Sequence, residues 1–210
     1  MKRCVIFASG PVSDPEQLIP LLREEDYIVA ADGGISLAER MNCTPDLVVA
    51  DIDSGSRERA ECTGAELHIL PREKDRTDTQ EAAMVAFDRG YREFLLLGCT
   101  GGRLDHMVGA FCVLEWIVRQ GGSAVLADER NRLMLMRPGE WEIPPKAGWK
   151  LSLFAYGGPV EGLTLEQVQY PLTQATLTTD NPVGVSNEFG NKPAKIRFHS
   201  GMLMVFLSKD

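Results

Sequence analysis

Five aspartates, Asp32, Asp51, Asp53, Asp78 and Asp105, stand where an apolar, strand-like run gives way to a turn rich in Gly, Ser or Thr. Carboxylates are hard oxygen donors, and several at neighbouring strand ends can hold a divalent cation. Glycine turns beside them let backbone N–H groups approach a phosphate. The chemistry these residues suggest is that of a magnesium–nucleotide site.

Four motifs carry that chemistry. Ala31-Asp32-Gly33-Gly34 ends one apolar run, and its glycines permit a tight turn into a helix; an ordinary Asp-Gly turn would read the same. In Ala50-Asp51-Ile52-Asp53-Ser54-Gly55, residues two apart in extended chain face the same way. Asp51 and Asp53 can therefore share a cation, although a polar turn capped by Asp53 or Ser54 fits the same spacing. Lys74-Asp75-Arg76-Thr77-Asp78-Thr79-Gln80-Glu81 holds a capping box from Thr77 to Gln80. The cap does not account for Lys74 and Arg76, which a triphosphate could use while Asp78 bound its metal. Gly98-Cys99-Thr100-Gly101-Gly102-Arg103-Leu104-Asp105-His106 follows the most apolar run and opens a long helix. It has neither Walker nor dinucleotide spacing. Gly101, Gly102 and Arg103 still have the physics of a phosphate loop, with small residues, a charge and a helix dipole. His106 is one of three histidines, none spaced to share a metal, and reads as a structural hydrogen-bonder.

The elements that must position these residues alternate along the first part of the chain. Strand candidates at 4–9, 27–32, 46–51, 66–70, 93–98 and 123–128 are separated by helical patterns near 15–24, 35–42, 78–90 and 104–120. Near-continuous apolar strands separated by helices predict an open, mostly parallel sheet with flanking helices. Ligands of such sheets settle at the carboxyl ends of the strands, where all the acidic motifs fall. After about residue 130 the helical period disappears. Short strand candidates at 132–136, 150–156, 175–179, 194–198 and 202–207 predict an all-β sandwich. The fold class is thus α/β with a C-terminal all-β sandwich domain: an α/β nucleotide-binding domain over 1–136 and a β-domain over 137–210.

Composition narrows the function classes. The 210 residues are 44% hydrophobic and 25% charged, ordinary for a globular chain, and the formal net charge is −8. That charge argues against a sequence-independent nucleic-acid surface and against an anionic membrane. A negative protein that handles phosphate must neutralise it locally. The five cysteines are widely spaced with no CxxC pair, so they read as reduced thiols. Lys2 and Arg3 precede an apolar stretch too short for a secretory signal, and no run approaches the roughly 18 apolar residues of a membrane span. A cytoplasmic location is expected.

The ordered set ADGG, DxDS, KDxTD and GxxGGRxDH, followed by an all-β tail with the pair Ser186-Asn187, resembles the thiamine pyrophosphokinase family over nearly the whole chain. The resemblance implies transfer of the pyrophosphoryl group of ATP to the hydroxyl of thiamine, giving thiamine diphosphate and AMP. It implies a homodimer with sites at the subunit interface, Mg²⁺ as cofactor, and ATP and thiamine as substrates. Asp32, Asp51, Asp53 and Asp78 match the acidic positions that bind Mg²⁺ and phosphates. Lys74, Thr77, Arg103 and Asp105 match the ATP side, together with Gly33, Gly101 and Gly102 of the glycine turns. Ser186 and Asn187 match substrate-binding positions that serve the neighbouring subunit. The chain departs from the family in having Ala50 before the DxDS motif. It also has Met202 to Phe206 where some members place a tryptophan, which leaves the stacking partner of thiamine open. Competing readings are a pyrophosphokinase acting on a hydroxymethylpterin, a metal-dependent phosphoesterase, and a non-catalytic nucleotide sensor.

Overall fold

The apolar runs of the first half become six short strands, β1 (Arg3–Phe7), β2 (Tyr27–Ala31), β3 (Leu47–Asp51), β4 (Glu66–Leu70), β5 (Glu93–Leu97) and β6 (Ser123–Ala127). They lie in the order β6-β5-β1-β2-β3-β4, and every neighbouring pair is parallel. β1 is central, with Cys4 opposite both Tyr27 and Phe94. All five of its residues are buried, which is why Cys4 to Phe7 are apolar without alternation, while the buried Arg3 pairs with Asp26 at 2.6 Å. The computed structural model describes residues 2–51, 61–71 and 75–210. Backbone contacts divide the chain into two units, Met1–Glu129 and Arg130–Asp210.

Three described helices cover the parallel strands: α1 (Ile35–Arg40), α2 (Asp78–Asp88) and α3 (Leu104–Arg119). Leu37 and Ala38 of α1 pack with Val5, Phe7 and Leu97. α2 lies along β1, β2 and β3 and touches α3. It buries Ala82, Ala83 and Ala86, side chains small enough to bring the helix close to the sheet. The helix expected over 15–24 does not form. Two single 3-10 turns, Pro15–Gln17 and Ile19–Leu21, stand there instead. Pro20 has no N–H to donate and disfavours helical backbone at Ile19.

The second unit holds eight strands: β7 (Asn131–Met136), β8 (Gly139–Ile143), β9 (Lys150–Ala155), β10 (Val160–Glu166), β11 (Leu172–Leu177), β12 (Gly184–Glu188), β13 (Ala194–Phe198) and β14 (Leu203–Ser208). They form two antiparallel layers, β12-β9-β14-β7 and β11-β10-β13-β8. Burial alternates along β9, β13 and β14. The inward residues of both layers, including Leu151, Leu153, Leu163, Ile196, Phe198 and Val205, share one core. This is the expected sandwich.

Three strands escaped the sequence reading. β8 exposes four of its five residues and so resembles a linker. β10 contains Gly162 at φ 67° and an irregular register with β11. β12 reads GVSNE and has Ser186 at φ 58°. Bulges and left-handed residues break the two-residue period on which strand recognition depends. The units divide ahead of the boundary expected after Met136. β7 pairs with β14 from Asn131 opposite Ser208 to Met136 opposite Leu203, and that pairing draws it into the second unit.

Candidate active site at the carboxyl ends of the parallel strands

From β1 the chain builds outward through β2, β3 and β4, then returns to the other side of β1 for β5 and β6. The connections leaving β1 and β5 therefore diverge, and a crevice opens between them. A cavity of about 320 Å³ lies there, lined by the turn at 8–11, by Gly98, Gly101, Gly102 and Arg103 after β5, and by Thr79 and His106 on two helices. The walls are joined by backbone. Ala8 N–H donates to the Leu97 carbonyl at 2.8 Å and Gly10 N–H to the Gly98 carbonyl at 2.7 Å. A Cβ on Gly10 would lie 2.4 Å from the Gly98 oxygen, so only glycine permits this approach.

The expected phosphate loop lies at this crevice. Gly101 and Gly102 adopt left-handed backbone, φ 73° and 63°, and turn the chain into the first residues of α3. Arg103 clamps Asp105 with two bonds, Nη2 to Oδ2 at 2.6 Å and Nε to Oδ1 at 3.1 Å. His106 N–H adds a third to Asp105 Oδ1 at 3.0 Å. Hydrogen bonding to Arg103 holds the Asp105 carboxyl below its ordinary range. The same pairing raises the Arg103 guanidinium. Both groups stay ionised at neutral pH. A phosphate entering beside Gly101 and Gly102 would meet a cation balanced on its other side. His106 lines the cavity, a place its sequence context did not suggest.

The acidic residues occupy strand and helix ends. Asp32 follows β2 at φ 47°, an unusual backbone for a non-glycine residue. It begins the 3-10 turn Asp32–Gly34. Within that turn a Cβ on Gly33 would lie 3.0 Å from Ser9 Cβ, so the turn borders the segment that lines the cavity. Asp51 is the last residue of β3. Asp78 opens α2, where Thr77 is the cap and its hydroxyl accepts from Gln80 N–H at 3.2 Å. Arg76 pairs with Glu81 at 3.1 Å, a partner within the chain for one of the two charges that capping left unexplained. Asp53 and Lys74 lie outside the described residues. Among the described residues, no three His, Cys, Asp or Glu side chains are gathered closely enough to hold a metal ion.

In the second unit, Ser186 is exposed, and its N–H donates to Ser152 Oγ at 3.0 Å. Asn187 is 5% exposed. Its Oδ1 accepts from Tyr170 N–H at 3.0 Å and Glu188 N–H at 2.9 Å, and its Nδ2 donates to the Tyr170 carbonyl at 2.7 Å. The turn at 8–11 is the cavity wall that sequence reasoning missed. A signal was present: Ser9-Gly10-Pro11, a run of turn formers, directly follows the first apolar strand.

Comparison with known proteins matches this arrangement in both units. The family description "Thiamin pyrophosphokinase, catalytic domain" matches residues 18–126. The description "Thiamin pyrophosphokinase, vitamin B1 binding domain" matches residues 141–203. The thiamine pyrophosphokinase of Bacillus subtilis (strain 168) is 28% identical over 214 residues, covering 100% of both chains. The crystal structure of the Bacillus subtilis enzyme superposes with a TM-score of 0.90 at 25% identity, again over 100% of both chains. A thiamin pyrophosphokinase family protein from Enterococcus faecalis superposes with a TM-score of 0.81 at 29% identity over 100% of both. With one domain description on the unit that carries the crevice and the other on the sandwich, the chain belongs to the thiamin pyrophosphokinase family.

Proposed function

We propose that this chain is a thiamine pyrophosphokinase, a transferase that joins the hydroxyl oxygen of thiamine to the β-phosphorus of ATP. The bond between the β-phosphorus and the oxygen bridging to the α-phosphorus breaks, and AMP leaves. The observation that carries this reading is the match of both family domains, with the catalytic one falling on the unit whose strand ends form the crevice. Transfer of this kind depends on in-line positioning and charge stabilisation more than on covalent help from the protein. Arg103, Lys74 and the backbone of Gly101 and Gly102 would bind the polyphosphate, with Asp105 holding Arg103 in place. Thr77 and Gly33 complete the nucleotide side by shaping the turns that carry Asp78 and Asp32.

Asp32, Asp51, Asp53 and Asp78 offer only hard carboxylate oxygens, a donor set that suits Mg²⁺. A bound Mg²⁺ would neutralise phosphate charge near these residues. The α/β unit, Met1–Glu129, is the proposed catalytic half and the β unit, Arg130–Asp210, the thiamine-binding and dimerisation half, with Ser186 and Asn187 on the thiamine side. A homodimer in the cytoplasm is the proposed working form. No helix among the described residues is long and apolar enough to cross a membrane.

The test is AMP formation from Mg-ATP with thiamine and, separately, with a hydroxymethylpterin. Turnover with thiamine that chelation by EDTA abolishes is expected. Turnover with the pterin alone would overturn the substrate assignment.

A further inference from the structure

The segment 9–14, which leaves the end of β1, lies between the two glycine turns of the crevice and touches both. A Cβ on Gly101 would lie 2.9 Å from Pro11 Cγ, and one on Gly102 would lie 3.4 Å from Pro11 Cδ. The proline ring therefore packs directly on the turn after β5. On the other side, a Cβ on Gly33 would lie 3.0 Å from Ser9 Cβ, which sets the turn that begins at Asp32 against the same segment. Where this segment sits decides how the two turns face each other.

Two side chains distant in sequence fix it. Glu129, two residues beyond β6, accepts at Oε1 from two successive backbone groups, Ser13 N–H at 2.6 Å and Asp14 N–H at 2.9 Å. Arg40, the last residue of α1, donates from Nη2 to the Val12 carbonyl at 2.8 Å. Three consecutive residues beside Pro11 are thus gripped by one anion and one cation, and neither of those side chains lines the crevice. Surface loops are commonly tied down by side chains, and folding alone makes little demand on these two. Ser13 and Asp14 are exposed, so their N–H groups can turn to water, while the Val12 side chain stays packed with Val5, Phe7 and Leu18. What water cannot replace is the fixed seat of Pro11 against Gly101 and Gly102. Backbone donors stabilise a phosphate best when they are held in place beforehand.

We propose that Glu129 and Arg40 are positioning residues for the phosphate end of the nucleotide, acting through the segment 9–14 on the glycine turn after β5. This rests on the crevice being the nucleotide side of the proposed enzyme. The test is calorimetric titration of the full-length protein with Mg-ATP, alongside thermal melts and thiamine turnover. The opposite charges of the two residues make it decisive. Acting only as charges, loss of the Glu129 anion would tighten binding of an anionic nucleotide, and loss of the Arg40 cation would weaken it. Positioning requires that Glu129→Ala and Arg40→Gln both weaken Mg-ATP binding, each about fivefold, with the melting temperature moved by no more than about 2 °C. Glu129→Gln, which loses the charge but keeps an acceptor oxygen, should bind within about twofold of the native protein. The proposal is overturned by Glu129→Ala that binds no more weakly than native, by Arg40→Gln that leaves binding unchanged, or by Glu129→Gln as weak as Glu129→Ala. Native protein that binds Mg-ATP without turning over thiamine sinks the functional reading and leaves the positioning role standing; native protein that does not bind Mg-ATP overturns the positioning role itself.

Discussion

Arg103 and Asp105 form an exposed ion pair whose proposed role is chemical and whose contribution to folding is small. The pair is exposed, so its loss should leave the melting temperature nearly unchanged. The folded-state carboxyl of Asp105 lies below its unfolded value, so its small contribution is present above the ordinary carboxylate range and is lost as pH falls through the depressed value. At neutral pH the clamp is intact. Arg103→Ala is expected to lower kcat/KM about a hundredfold by removing a charged donor from the transferred group. Arg103→Lys should recover only part of that, because an ammonium cannot form the two-pronged contact. Steady-state assays alongside thermal melts separate the two effects; an equal fall in melting temperature and activity would assign Arg103 to structure alone. Cys99, also on the cavity wall, is no candidate nucleophile. Burial pushes its thiol up to about 12, so it remains a neutral apolar side chain at neutral pH.

Among the elements, the start of α2 bears most directly on the proposed site, because one hydroxyl sets the backbone that carries Asp78. Thr77→Ala should cost about 1 kcal/mol through the lost cap, seen as a fall of roughly 2–4 °C in melting temperature. It should also weaken ATP use more than that stability loss explains, since Asp78 is the next residue. Unchanged ATP kinetics would show that the cap serves folding only. This helix was legible in the sequence because the cap and the apolar period lie within a dozen residues of each other. The parallel strands were legible for a related reason: buried on both faces, β1 and β5 have to be apolar after their first residues, Arg3 and Glu93. What could not be read was whatever depends on distant partners. β12 is a strand because β9 pairs with it, and the 15–24 segment fails as a helix because Pro20 interrupts a three- and four-residue apolar rhythm. The same division runs through the candidate site. The glycine turn after β5 announces itself in local sequence, whereas the tie between Asn187 and Tyr170 spans 17 positions and is visible only once both sandwich layers have formed.

For the whole molecule, charge is the broadest constraint. A chain of net charge −8 repels free ATP at long range, so productive binding falls to a few local cations and whatever metal the carboxylates hold. Sites shared between the subunits of the proposed homodimer give a clear expectation. Asp51→Asn and Ser186→Ala chains, each inactive alone, should regain about a quarter of native activity when unfolded together and reassembled at random, because half the dimers are mixed and each has one intact site. Measured AMP formation after reassembly decides this. No recovery, with mixed dimers demonstrated, would place each site within one chain.

The meeting of Gly10 and Gly98 across the crevice bears on how this protein can change over time. The atom that a side chain at position 10 would strike is a carbonyl oxygen of the opposing turn. Substitutions at most packed positions can be rescued by a neighbour that shrinks or rotates, but a backbone atom has no smaller replacement. Drift in the sequence can therefore reshape the helix-borne side of the cavity, at Thr79 or His106, far more freely than the seam joining its two turns. New substrate preferences within this fold should arise from the helix-borne side of the crevice, around a floor that stays the same.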